Sequence, residues 1–289
     1  MSIFSRVLPP LAVMLVAAPF EASDAQRRDW DDTNVEGAES CRAIWREYGR
    51  TMSGRPSAVH CEIRDVGVTP ARRIDVDGDE HGGLRVVGAQ RSDIRVRLVI
   101  QTQGEDLADA RDLARQVSLD LSRATWRPEV PVIRDNRRIG RRYVSATVLI
   151  DAPRQTDLIA RVEHAPMWVE GLRGRLDLDA AHGPLNLNDV GGDVRARVRH
   201  GPLTIAVTGR TWDGAGLDAQ AEHGPLTLRL PREFDADLEM GAEHGPMDID
   251  FPVTLTRFDR TRISTKLGAG GPRIRAFATH GPLSVHVAR

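Results

Sequence analysis

The chain has 289 residues, with 40 Lys and Arg against 41 Asp and Glu, a formal net charge of −1, and 4% aromatic residues. Balanced charge excludes the electrostatic footprint of a protein built to hold nucleic acid or an anionic membrane. Locally basic runs such as Arg195-Ala196-Arg197-Val198-Arg199 read as the polar half of an alternating strand, with Asp177 and Asp179 in equivalent places nearby.

At the N-terminus, Arg6 precedes an apolar run from Val7 to Ala18, and Ser23-Asp24-Ala25 comes next with small residues. That is the layout of a secretory signal peptide over residues 1–25, cleaved near Ala25. The apolar run is too short for a bilayer, which takes about 20 helical residues. No later stretch is apolar enough to span one, so the mature chain is expected to have no membrane span. Residues 26–70 hold both cysteines, Cys41 and Cys61. In an exported chain an even count favours a disulfide, here closing a modest N-terminal loop worth about 3 kcal/mol.

Residues 71–155 read as a strand–helix–strand region. The stretch from Arg73 to Gln103 alternates apolar and polar residues with Gly punctuation, which predicts two or three strands. Glu105 to Leu119 carries Leu107, Ala110, Leu113, Ala114 and Val117 on one helical stripe, predicting a helix that packs on or caps the first coil of the repeat region. Arg141 to Ala152 alternates again as a strand.

Residues 156–289 are governed by a repeat. His-Gly-Pro-Leu recurs at His182, His200, His223 and His280, with His-Gly-Pro-Met at His244 and His-Ala-Pro-Met at His164. His81-Gly82-Gly83-Leu84 is a more distant variant. The intervals along the chain are 18, 18, 23, 21 and 36 residues, the last being two coils or one coil with an insertion. A second corner falls nine residues after His182 and His200, at Gly191-Gly192 and Gly209-Arg210. Between corners the residues alternate: Leu185, Leu187 and Val190 on one segment, Val194, Ala196 and Val198 on the other. Period-2 alternation inside a fixed period of about 18–23 residues predicts a mainly β fold, a β-solenoid of the right-handed type with two-segment coils.

In that frame the tetrapeptide is a structural corner. Gly bends the chain, Pro fixes its own φ and opens a strand, and Leu is the first inward side chain. His164, His182, His200, His223, His244 and His280 should then stack in a column at the inter-strand spacing of about 4.8 Å. Metal binding through this column is the lower-ranked reading, supported by Glu163, Glu222 and Glu243 beside three of the histidines. Asp177, Asp179, Asp189 and Asp193 contain a conceivable carboxylate pair of glycosidase type, although alternation places them on outer strand faces. Trp168 and Trp212 are candidate sugar-stacking platforms, Trp212 standing out because it lies in the longest corner insertion. Gly268-Ala269-Gly270-Gly271-Pro272 reads as a corner, since no parallel βα pattern precedes it.

Several stretches together resemble a bacterial putative-adhesin family of envelope β-solenoid proteins without known function. They are HCEIRDV at 60–66, DGDEHGGLRVVGAQRSDIRVRLVIQTQGEDLADARDLA at 77–114, TDLIARVEHAPMWVEGLRGRLDL at 156–178, TWDGAGLDAQAEHGPLTLRLP at 211–231 and GAGGPRIRAFATHGPLSV at 268–285. Relatives usually carry Asn-Gly at the corner, where this chain carries His-Gly-Pro. The resemblance implies the fold and supplies no catalytic residues. The expectation is therefore an exported, non-enzymatic envelope protein, structural or adhesin-like, in the periplasm or outside the cell. It needs no cofactor and meets a protein or glycan partner rather than nucleic acid. The alternative is a carbohydrate-binding or carbohydrate-active protein on the same scaffold.

Overall fold

Alternating apolar and polar residues build strands, because successive side chains point to opposite faces. A computed structural model describes residues 35–36, 58–78, 82–133, 142–251, 254–258 and 261–288. In chain order the strands are β1 (Val35–Glu36), β2 (Ala58–Thr69), β3 (Arg73–Asp77), β4 (Leu84–Ala89) and β5 (Ile94–Gly104), then helix α1 (Leu107–Arg115). Next come β6 (Tyr143–Pro153), β7 (Asp157–Val162), β8 (Met167–Glu170), β9 (Arg173–His182), β10 (Leu185–Asn188), β11 (Gly191–His200) and β12 (Leu203–Ala206). The remainder are β13 (Gly216–His223), β14 (Leu226–Leu230), β15 (Ala236–Ala242), β16 (Met247–Asp250), β17 (Thr254–Phe258), β18 (Arg262–Leu267), β19 (Arg273–His280) and β20 (Leu283–Val287).

The strands form two large sheets and no closed barrel. Sheet 1 has 11 strands in the order β1-β2-β5-β6-β4-β8-β10-β12-β14-β20-β16, and sheet 2 has nine, β17-β18-β15-β19-β13-β11-β9-β7-β3. From β7 to β16 the chain alternates between the sheets, and equivalent strands pair in parallel without a register shift. Identical inward positions therefore stack. Leu84, Met167, Leu185, Leu203, Leu226 and Leu283 succeed one another along sheet 1, each fully buried. Burial of one such side chain contributes about 2 kcal/mol. Near the histidine corner sheet 2 carries the small Ala180, Val198, Ala221, Ala278 and Ala242, which keeps the interior thin.

From β7 onward, spatial order departs from chain order at one place. After β16 the chain makes the β17–β18 hairpin, which closes sheet 2 beyond β15 in antiparallel pairing. It then returns, inserting β19 between β13 and β15 and β20 between β14 and β16. The 36-residue interval before His280 is thus a hairpin plus a coil placed out of turn. The outward charges are complementary in this order. Asp218 on β13 and Glu239 on β15 would face each other if those strands were neighbours, but the inserted β19 puts Arg275 between them, 3.3 Å from Asp218 and 3.5 Å from Glu239. The same alternation runs through earlier coils: Asp177 faces Arg195, which faces Asp218, and Arg161 faces Asp179, which faces Arg197. In-register stacking would set like charges beside one another if each coil repeated the last, and opposite charges facing each other favour a pair by a few tenths of a kcal/mol to about 1 kcal/mol.

The N-terminal part differs from its sequence reading in three ways. Strand β2 pairs antiparallel with β5, and β5 with β6, so residues 58–69, read from sequence only as part of a disulfide-closed segment, extend sheet 1. Helix α1 is shorter than the predicted 105–119. Asp106 caps its start by accepting from the Asp109 amide at 2.8 Å, and the Ser118–Glu129 bridge draws the chain away after Gln116. The helix also packs on β2 and β5 rather than on the first coil. Arg64 of β2 donates to the carbonyls of Ala114 and Val117 at 3.0 and 2.6 Å, and Thr102 of β5 donates to the Ala110 carbonyl at 2.7 Å. The free edge of β3 is covered by Trp126, whose amide and carbonyl bond Asp75 and Asp77.

Candidate functional site

The histidine corners are hydrogen-bonded from coil to coil as fully as the strands. Each corner proline has no amide to satisfy, and its carbonyl accepts from the first residue of the next strand: Met167 N to Pro184, Leu185 N to Pro202, Leu203 N to Pro225, Leu226 N to Pro282 and Leu283 N to Pro246, all 2.9–3.0 Å. The row begins at Leu84 N to Pro166, so Gly82-Gly83-Leu84 occupies the same corner. Gly83 stands there in place of proline, and its extra amide is taken up by Thr147 Oγ1 at 3.2 Å. His81 lies outside the described residues. The corner glycines are demanded by the approach of neighbouring coils. A Cβ on Gly201 would sit 2.4 Å from the Gly183 carbonyl oxygen, and Gly201 has φ +145°.

All six histidines end or follow a sheet 2 strand and are exposed. Their rings form one column in the order His164, His182, His200, His223, His280, His244, with centroids 4.7–4.8 Å apart and planes within 9° of parallel. Loss of solvent, together with the charge it would share with His164, His200 and Arg199, holds the His182 ring below the ordinary imidazole range, against an opposing pull from Glu163. Face-to-face rings direct their nitrogen lone pairs in parallel, not toward one point, whereas zinc requires nitrogens converging at about 2.0–2.1 Å. Among the described residues, no three His, Cys, Asp or Glu side chains converge on a common point.

The second corner is a clamp. Asp189 has φ +49°, and its carboxylate accepts from Arg173 at 2.7 Å and from the Thr208 hydroxyl; Arg173 also donates to Asp213 at 2.9 Å. Burial alone raises the Asp189 pKa, but the Thr208 and Arg173 contacts outweigh it and hold the carboxyl below its ordinary value. The Gly268–Pro272 stretch is a turn between β18 and β19, pinned by the Ala269 amide donating to Asp235 at 2.8 Å.

The remaining candidates separate by position. Trp212 is 2% exposed, and its indole donates to the Gly192 carbonyl at 3.0 Å, so the longer corner folds its tryptophan inward and offers no stacking platform. Trp168 points outward from β8, half-exposed, on the outer face of sheet 1. Asp177 and Asp193, with Asp157, Arg73, Arg175 and Arg195, line a shallow groove of about 140 Å³ on sheet 2. Each of these two aspartates faces an arginine across the ladder, Asp177 opposite Arg195 and Asp193 opposite Arg175, so neither has the apolar surroundings of a general acid. Asp179 faces Arg197, and Asp189 belongs to the clamp. Cys61 is buried, no described cysteine is free, and Cys41 lies outside the described residues, as does the signal-like segment 1–25. No helix among the described residues is long and apolar enough to cross a membrane.

No protein-family profile matches the chain, and no curated protein matches it. Among solved structures it is similar to a "putative cell adhesion protein" from Clostridium sporogenes, at 9% identity and a TM-score of 0.41 over 78% of this chain and 98% of that one. It is also similar to a "putative adhesin" from Bacteroides fragilis, at 10% identity and 0.31 over 78% and 96%. A third is a "putative lipid binding protein" from Parabacteroides distasonis, at 8% and 0.32 over 78% and 96%.

Proposed function

We propose that the chain is an exported, non-enzymatic protein of the cell envelope, in which stacked two-strand coils form a β-solenoid that presents long periodic faces to a binding partner. The carrying observation is the in-register stacking of equivalent strands, with the six imidazoles of the histidine column spaced 4.7–4.8 Å apart. Such a surface suits a partner that is itself extended, since outward positions recur along it at a fixed spacing. In this reading the histidine column, His164 to His280, is a structural corner, a Cys41–Cys61 bridge closes the N-terminal segment, and residues 1–25 are removed near Ala25.

The test uses the full chain in the cells that make it. A photo-crosslinking residue at Thr204 on sheet 1, or at Arg197 on sheet 2, should capture an envelope component, and Edman sequencing should find the new N-terminus near Gln26. Retention of residues 1–25 on a cytoplasmic product, or no crosslink from either face, would overturn the proposal.

A further inference from the structure

The two outer faces differ in chemistry. On sheet 2 the outward rows alternate in charge. On sheet 1 the register places Trp168, Asn186, Thr204, Thr227 and Ser284 in one row along the stack, one residue per coil. In a chain that is 28% charged, the five positions of this row carry no charge. All five side chains are half-exposed. Along this row charge returns at the two ends, with Arg85 before Trp168 and Asp248 after Ser284, and in the adjoining outward row it stands at Glu170 and Arg229. Beside the middle of the row stand Asn188 and Ala206, also neutral, which widens the uncharged lane there.

Hydroxyl and amide groups each donate and accept, so they match a ligand that does the same at every repeat. Giving up their water on binding costs far less than desolvating a charge. A tryptophan at the head of such a row supplies a broad apolar face with a polar edge. Sugars have this complementary character: hydroxyls around the ring edge, C–H groups on the ring face, and no charge. Along the stack the row offers one such position every 4.7–4.8 Å, so a chain of sugars laid along it meets several of them in succession. We infer that the outer face of sheet 1 is a binding lane for a neutral, extended β-linked glycan, lying along the stack with about one sugar per rung and one ring against Trp168. This rests on the reading of the chain as an envelope interaction module and names the chemistry of its partner.

The experiment is calorimetric titration of the purified full chain with linear β-linked gluco-oligosaccharides of increasing length. Binding should strengthen with each added sugar until the chain spans the five rungs, then level off. Trp168→Ala should weaken the longest oligosaccharide by about tenfold or more, and Thr204→Arg, which sets bulk and charge in the middle of the lane, should abolish binding. Both positions point outward, so both variants should melt near the parent, and Arg197→Ser on the opposite sheet should bind as the parent does. Failure of every oligosaccharide to bind, affinity independent of length, or unchanged binding in both lane variants would overturn the glycan assignment. A crosslink from Thr204 to a protein in place of a glycan would do the same while leaving the interaction module standing, whereas the absence of crosslinks from both faces removes the module itself.

Discussion

A single corner shows how three residues divide one task. Pro202 contributes an acceptor and no donor, so no amide is stranded where the chain turns; Leu203 starts the inward row, and Gly201 lets adjacent coils touch. Histidine is exposed, and its ring stacks on the rings of other histidines. These roles rank the substitutions. Gly201→Ala forces a side chain into φ +145° and against the Gly183 carbonyl, at a cost of about 3 kcal/mol. His200→Ala removes ring stacking at an exposed position, at a cost of about 1 kcal/mol. Urea unfolding of both variants checks the order; a His200 variant as damaged as the Gly201 variant would mean that the imidazoles, not the backbone approach, hold the corner.

At the scale of strands, the alternating charges specify which coil sits beside which. Without β19, the acidic outward residues of β13 and β15 would be neighbours; with it, Arg275 serves both, and Arg273 also bonds Glu239. Arg275→Glu turns two favourable contacts into two repulsive ones. At this partly exposed site the loss should be about 1–2 kcal/mol, and it should shrink at high salt as screening takes hold. Pairing it with Glu239→Arg should recover part of the melting temperature. An Arg275→Glu protein that melts with the parent at low salt would mean that packing alone sets the order. This same element marks where the sequence stopped being readable. The His-Gly-Pro spacing and the period-2 alternation reveal strands that pass in turn between two sheets, because both signals are local and recur along the chain. The return of β19–β20 into the stack leaves no local mark, and only the signs of Asp218, Glu239 and Arg275 considered together disclose it. The tryptophans divide in the same way. Trp168 is outward by simple parity, lying between the buried Met167 and Val169, whereas Trp212 sits in an irregular corner where alternation has no hold and is fixed by a bond to Gly192.

For the molecule as a whole, His182 within the histidine column and the ion-paired carboxylates both tie stability to pH, in different windows. His182 in the folded chain holds its proton less tightly than the ordinary value of 6.5. As pH falls through that value the unfolded chain takes up the proton first, so stability declines until the folded ring also titrates. Glu239 lies below its ordinary 4.5 chiefly through the hydrogen bond from Arg273, and Asp109 lies below 3.8 chiefly through Arg142. Their contribution is present above those ordinary values and is lost as pH falls through the lower folded ones. Melting temperature should therefore drop in two stages on acidification, a first below about pH 6.5 and a second below about pH 4.5. His182→Gln should shrink the first stage and leave the second, while Arg273→Gln should do the reverse. A melting temperature that is flat between about pH 7.5 and 5 would mean that the His182 ring accepts its proton as readily in the folded chain as in the unfolded one.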